Sequence, residues 1–310
     1  MVRIARCLTP GMLIDELAAL IDRHAPDRML AITEDAIING ATEAGPPAFS
    51  STGTVMVVVA QGAKRMYVGE QVIDYRAGEC MIASLDLPIT GHFIDASRER
   101  PSLGFALTLK PALIAELLLH PAAGDLPRAA RGAGAPPAVV VGAAPDDLVE
   151  AVMRLVRLLD RPGDLPVLAP MIEREILWLL LRGEHGALVQ QLGLADSSLN
   201  RVGHAVRRLR DHYAEAIRVD ELAELTRMSP SAFHRAFQAV TAMSPIQFQK
   251  QIRLQEARIR LVADPRDVAG AAYAVGYESP SQFSREYRRR FGASPAQDAL
   301  RLREAAVTGG

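Results

Sequence analysis

Two stretches of this chain carry polar side chains at spacings suited to gripping another molecule. Ser231, His234, Arg235 and Gln238 fall on one face of a helix, opposite Phe233, Phe237 and Val240. Fifty residues later Ser281, Gln282, Ser284 and Arg285 face away from Phe283, Tyr287 and Phe291, and Arg288-Arg289-Arg290 follow one turn on. Arginine can chelate guanine O6 and N7, and glutamine can do the same to adenine N6 and N7. Nothing comparable points to catalysis. The seven histidines, at 24, 92, 120, 185, 204, 212 and 234, never pair at ligand spacing, and neither Cys7 nor Cys80 has a neighbour for a zinc site. There is no glycine-rich nucleotide loop and no nucleophile elbow. No catalytic residue, metal or cofactor is expected, and the chain is not expected to be an enzyme.

The elements that must hold these side chains come twice. Asp220 to Leu225 predicts a helix with an acid in its first turn, followed by a break at Met228-Ser229-Pro230. Ser229 then caps a second helix with Pro230 at its first position. Val268 to Val275 predicts another short helix ending at Gly276, and Ser279-Pro280 opens its partner in the same way. Two helix-turn-helix units result. Pro245 to Val262, with Phe248, Ile252, Leu254, Ala257 and Leu261, predicts one long helix between them. At about 1.5 Å per residue it reaches roughly 27 Å. Successive major-groove openings on one face of DNA lie about 34 Å apart, so such a spacer could present two helices to adjacent grooves.

Upstream the texture differs. Residues 12–24 predict an amphipathic helix through Leu13, Leu17, Leu20 and Ile21. Short β-forming runs follow at Thr54–Val59, Arg65–Val68, Gln71–Tyr75, Cys80–Ser84, Gly91–Ile94 and Leu103–Leu109. Gly62, Gly69, Gly78 and Pro88 punctuate them as in a small sandwich or barrel. Pro111 opens a helix to Leu119; residues 121–145, rich in Ala, Gly and Pro, predict a loop with one short strand, Ala138–Val141. Two further helices are expected at 147–161 and 167–183.

The 310 residues suit two domains, with 49% hydrophobic and 23% charged residues. No apolar run approaches the roughly 20 residues of a membrane span, and the N-terminus lacks the pattern of a signal peptide. Two cysteines fit a reducing cytoplasm, where the protein is expected to reside. The net charge of -1 hides a split: residues 201–310 carry 18 Arg and Lys against 12 Asp and Glu, and residues 1–200 carry 17 against 24. The C-terminal part is the one expected to meet a polyanion.

The ordered set Met243-Ser244-Pro245 through Arg258, Val268-Ala269 to Gly276-Tyr277-Glu278-Ser279-Pro280-Ser281-Gln282-Phe283-Ser284-Arg285-Glu286-Tyr287, and Phe291-Gly292-Ala293-Ser294-Pro295 resembles the DNA-binding domain of AraC/XylS-type transcription regulators. The resemblance covers about residues 205–300. Val58 to Arg65, Gly78-Glu79 and Ser84-Leu85-Asp86-Leu87-Pro88, within about 20–190, resemble the effector domain of one subgroup of that family. It implies an α+β chain. A cupin-like small β-barrel with flanking helices would span 1–195, for effector binding and dimerisation. An all-α DNA-binding domain with two helix-turn-helix units joined by a long helix would span 196–310. Metal-binding cupins carry a His-x-His run after a glycine; Gly62 to Val68 has none.

Carried over position by position, the resemblance makes Ser231, His234, Arg235, Ser281, Gln282 and Arg285 base readers, and Lys250, Arg288 and Arg289 phosphate contacts. Pro280 stands where some relatives have a polar reader. Lys64, Arg65 and Tyr67 are candidates to meet an anionic effector in or beside the barrel, and Cys7 is a candidate redox sensor. The implied partners are promoter DNA, a small-molecule effector, a second copy of the chain through the two helices after the barrel, and RNA polymerase; no membrane is implied. Two alternatives stand beside this reading: a DNA-binding regulator with a ligand-free dimerisation domain, or a cysteine-based redox or electrophile sensor.

Overall fold

A computed structural model describes residues 10–127, 136–194 and 197–308. Their contacts fall into two compact units. One runs through residue 201 and includes 239–242; the other holds 202–238 and 243 onward.

The first unit opens with α1 (Pro10–His24), whose Leu13, Leu17, Leu20 and Ile21 are buried. Ten strands follow: β1 (Met29–Ala31), β2 (Ala36–Ala41), β3 (Ala48–Ser51), β4 (Val55–Gln61), β5 (Ala63–Val68), β6 (Gln71–Arg76), β7 (Glu79–Ala83), β8 (Pro88–Asp95), β9 (Ser102–Thr108) and, further on, β10 (Val139–Ala143). The six strand runs seen in the sequence correspond to β4 to β9. The first three strands went unseen: β1 and β3 have only three and four residues, and β2 offers just Ile37 and Ile38 as β-formers among Ala, Asn and Gly.

The strands form two antiparallel sheets, ordered β1-β2-β9-β4-β7-β10 and β3-β8-β5-β6. Their inner faces line a common cavity of about 400 Å³, so the two sheets make a small barrel-like sandwich around it. On the larger sheet one inward row runs Ile37, Ala106, Val57, Met81 across β2, β9, β4 and β7. On the smaller sheet Phe93, Lys64 and Tyr75 form the facing row across β8, β5 and β6. Between β9 and β10 lies α2 (Pro111–Leu118), and after β10 come α3 (Asp146–Val156), α4 (Leu165–Arg182) and α5 (Gly186–Gly193). Leu148, Val152, Leu155 and Val156 make the buried stripe of α3, and Asp146 and Asp147 at its start suit the positive helix end.

The second unit is helical: α6 (Ser198–Asp211), which begins within the first unit, then α7 (Val219–Leu225), α8 (Pro230–Thr241), α9 (Pro245–Ala263), α10 (Val268–Ala274), α11 (Pro280–Phe291) and α12 (Pro295–Thr308). The two expected helix pairs are α7–α8 and α10–α11, and the spacer is α9. Ser244 and Gln247 close a reciprocal capping box on α9. Ser229 accepts from the Ala232 N–H, and Ser279 from the Gln282 N–H. Among the described residues no helix is long and apolar enough to cross a membrane.

Candidate nucleic-acid interface

The side chains that could read DNA depend on how firmly α8 and α11 are seated. In the first pair, Phe233 and Phe237 meet with ring centroids 5.5 Å apart, and Phe237 meets Phe248 of α9 at 5.6 Å. All three are fully buried. In the second pair the stack runs Tyr277, Phe283, Tyr287, Phe291, with centroid steps of 5.3, 5.4 and 4.3 Å.

Burying these aromatic stripes turns the polar face outward. Ser231, His234 and Arg235 are exposed on α8, and Ser281, Gln282 and Arg285 are exposed on α11. Arg288 and Arg289 continue the exposed face of α11, while Arg290 is partly buried and reaches toward Gln251. Burial lowers the pKa of Arg290 below the ordinary guanidinium range. Arg235 and Arg285 make no ion pair with any described residue.

Lys250 is differently placed. Its Nζ lies 2.9 Å from Glu286 Oε1, and Glu286 is only 13% exposed. Tyr277 donates its hydroxyl to Glu286 Oε2 at 2.9 Å, and Gln282 donates Nε2 to Oε1 at 3.3 Å. Burial alone would raise the Glu286 carboxyl, but these three hydrogen bonds outweigh it and hold the group below its usual range. The network joins α9, the turn before α11, and α11 itself. Glu286 thus touches one expected base reader and one expected phosphate contact, and the sequence reading gave it no role. Its position one turn after Gln282 was the available signal.

Arg253 was also missed. It donates Nε to the Tyr213 carbonyl (2.6 Å), Nη1 to Gly276 (2.9 Å), and Nη2 to Ala214 (3.2 Å) and Glu215 (2.9 Å). Gln249 donates to the carbonyls of Tyr213 and Glu215 as well. A helix side chain thereby ties the segment before α7 to the turn before α11. Beside it opens a cleft of about 640 Å³, walled by Ile246, Lys250, Tyr273 and Gln282 among others.

Deeper in the second pair, Arg258 forms a two-pronged ion pair with Asp298 of α12, at 2.7 and 3.2 Å. Tyr287 donates its hydroxyl to the same carboxylate at 2.9 Å. Arg258 and Asp298 are 18% and 8% exposed, so this is a buried pair.

In the barrel the three effector candidates part company. Successive residues of a strand face opposite sides. Lys64 and Met66 line the cavity, whereas Arg65 pairs with Asp74 through two 2.6 Å hydrogen bonds and Tyr67 stacks on His92. The Arg65 hydrogen bond holds the Asp74 carboxyl below its ordinary range. Cys7 lies outside the described residues. Cys80 is buried, and burial pushes its thiol up to about 12.

Two helix-turn-helix pairs on one helical spacer, in a chain that also carries a sheet-rich unit, define a two-part architecture. The model of the AraC-type transcriptional regulator N-terminus matches residues 37–188, and a helix-turn-helix domain model matches 222–301. The chain belongs to the AraC-type transcription regulators. Among curated relatives, the HTH-type transcriptional activator RhaS of Salmonella typhimurium is 30% identical over 162 residues, 52% of this chain and 57% of RhaS. The match thus spans little more than half the length of that relative. An apo ToxT variant of Vibrio cholerae superposes with a TM-score of 0.51 at 10% identity, covering 86% of this chain and 98% of ToxT. Unsaturated-fatty-acid-bound ToxT gives 0.50 at 9%, covering 88% and 97%. These two likenesses concern the fold.

Proposed function

We propose that the chain is a sequence-specific regulator that binds promoter DNA through α8 and α11, under control of a small effector held in the barrel. The observation that carries this reading is the exposed polar face on each of the two helices, held at a fixed separation by α9. His234 and Arg235 read bases from α8. Gln282 and Arg285 do so from α11, with Ser231 and Ser281 beside them. Arg288 and Arg289 contact phosphate. Lys250 can join them only by leaving Glu286.

The barrel favours an effector over a ligand-free dimerisation domain, because its interior keeps a cavity of about 400 Å³ where a purely structural core would close. ToxT, whose fold the chain shares, has been crystallised with an unsaturated fatty acid. In this reading residues 1–195 form a cupin-like effector and dimerisation domain and 196–310 the DNA-binding domain. A second copy joins through α3 and α4, RNA polymerase is a contact at the promoter, and the protein works in the cytoplasm. The buried, high-pKa Cys80 does not serve a redox sensor, since the thiolate is the reactive species.

The test is fluorescence anisotropy with labelled promoter fragments, the chain's own upstream region included, across a salt series. The expected result is tight binding at low salt and a linear fall of log affinity with log salt concentration. Failure to bind any fragment at low salt would sink the reading.

A further inference from the structure

Lys64 is the one ionisable cation among the described residues lining the barrel cavity, and no Asp or Glu lines it. Its neighbours across the strands are Phe93 on one side and Tyr75 on the other. The ammonium sits over the Phe93 ring, 5.4 Å from its centroid. Burial lowers the Lys64 pKa below the ordinary lysine range, and no carboxylate offsets that effect. The facing wall is mainly apolar: Ile37, Val57 and Ala106 come from the larger sheet, with Asn39 and Ser102 beside them.

We propose that Lys64 is the counter-ion for an amphipathic monocarboxylate whose apolar body fills the barrel. This rests on reading the barrel as the effector site. A cation without an anionic partner in a largely apolar cavity is costly, and an incoming anion offsets that cost. An ammonium offers three N–H donors and no acceptor, so the matching group is an acceptor-only oxygen anion. One positive charge fits one negative charge. A phosphate dianion or a dicarboxylate would bring a second charge with no second cation on these walls to meet it. The apolar walls select an alkyl or aryl body over a polyhydroxylated one.

The test uses the full chain with octanoate, its neutral isostere octanamide, and octanal, read by thermal shift and calorimetric titration. Octanoate is expected to raise Tm and bind at least tenfold tighter than octanamide. Lys64→Met is expected to have a higher Tm than the natural chain without ligand and to lose the preference for octanoate. Because that variant gains stability, a lost response cannot be ascribed to misfolding. Equal affinity for octanoate and octanamide, absence of octanoate binding, or a preference that survives in Lys64→Met overturns the proposal. So does an octyl adduct on Lys64 trapped by borohydride from octanal at concentrations where octanoate does not bind, since the amine would then act on carbonyls. Ala106→Leu narrows the cavity from the opposite wall. If it blocks octanoate while Lys64→Met does not, the barrel reading stands and the counter-ion fails. If neither variant affects octanoate binding, both fail.

Discussion

The two helix-turn-helix units are built on one plan and stabilised by different chemistry. The first is seated by phenylalanine against phenylalanine, contacts that carry no hydrogen bond. In the second, Tyr287 stands where Phe237 does and Tyr277 where Met228 does, and their hydroxyls end on largely buried carboxylates, Tyr277 on Glu286 and Tyr287 on Asp298. The turns differ as well. Gly276 and Gly292 take the left-handed conformation in the second unit, with φ of 85° and 75°; in the first, Arg227 and Ala242 occupy the matching places with φ of 54° and 59°. A residue with a Cβ is strained there, so the first unit holds a stiff apolar core beside two strained corners. The second has relaxed corners and a polar core whose members depend on one another.

The largest test of that contrast is Asp298→Ala. It removes the carboxylate that pairs with Arg258 and accepts from the Tyr287 hydroxyl, and is expected to cost about 3 kcal/mol or more. Amide exchange should quicken across α10 to α12 while α7 and α8 keep their protection. Uniform loss across both units would mean that they are one cooperative block.

Next is the effect on DNA. Arg235→Ala is expected to cost about 1–3 kcal/mol and relax preference at one base. Arg288→Ala is expected to weaken all sequences alike and reduce the salt slope by about 1. Selection of operators from random DNA by each variant distinguishes these outcomes, and a reversal would move base reading from the first unit to the second.

Relief of the strained corners should be smaller. Ala242→Gly is expected to stabilise by about 1 kcal/mol in urea unfolding, because the left-handed penalty outweighs the added chain entropy. At the matching place in the second unit Gly292→Ala should destabilise by a similar amount, and a same-sign result for the two would break the comparison.

The last effect appears only in alkali. Burial, followed by the carboxylate each hydroxyl meets, raises the Tyr277 and Tyr287 phenols above the ordinary 10.0. Above that value the unfolded chain releases protons that the folded chain retains, so stability falls as pH rises. The second unit should lose exchange protection between about pH 10 and 11 before the first does.

Much of this plan was legible. Ser229-Pro230 and Ser279-Pro280 marked helix starts, the aromatic steps of three and four marked buried faces, and both are local signals. The two helix-turn-helix units followed from them, while the α+β class came from the β-forming runs upstream and the family resemblance. What escaped was non-local, or was a local rule left unused. Lys250 reads as a free cation until Glu286, 36 residues away, is brought to it. Arg253 reads as a solvated helix residue until three successive carbonyls and Gly276 converge on it. Lys64 and Arg65 were paired as one site although strand alternation alone separates them. α6 went unread although Val202, Ala205, Val206 and Leu209 recur at helical spacing, and all four are buried.

Arg253 has one more consequence. Its guanidinium joins the Tyr213–Glu215 segment to Gly276, and a Cβ at Gly276 would meet the Ala214 carbonyl at 2.1 Å, so this junction has no slack. Clamped in this way, the chain is expected to act as a fixed gauge on DNA bound through α8 and α11. Inserting one base pair between the two recognised boxes turns the second by about 35°, since a helical turn holds about 10–10.5 base pairs. A flexible tether would absorb that rotation; this junction would not, and the spacing between boxes should be as invariant as the boxes themselves.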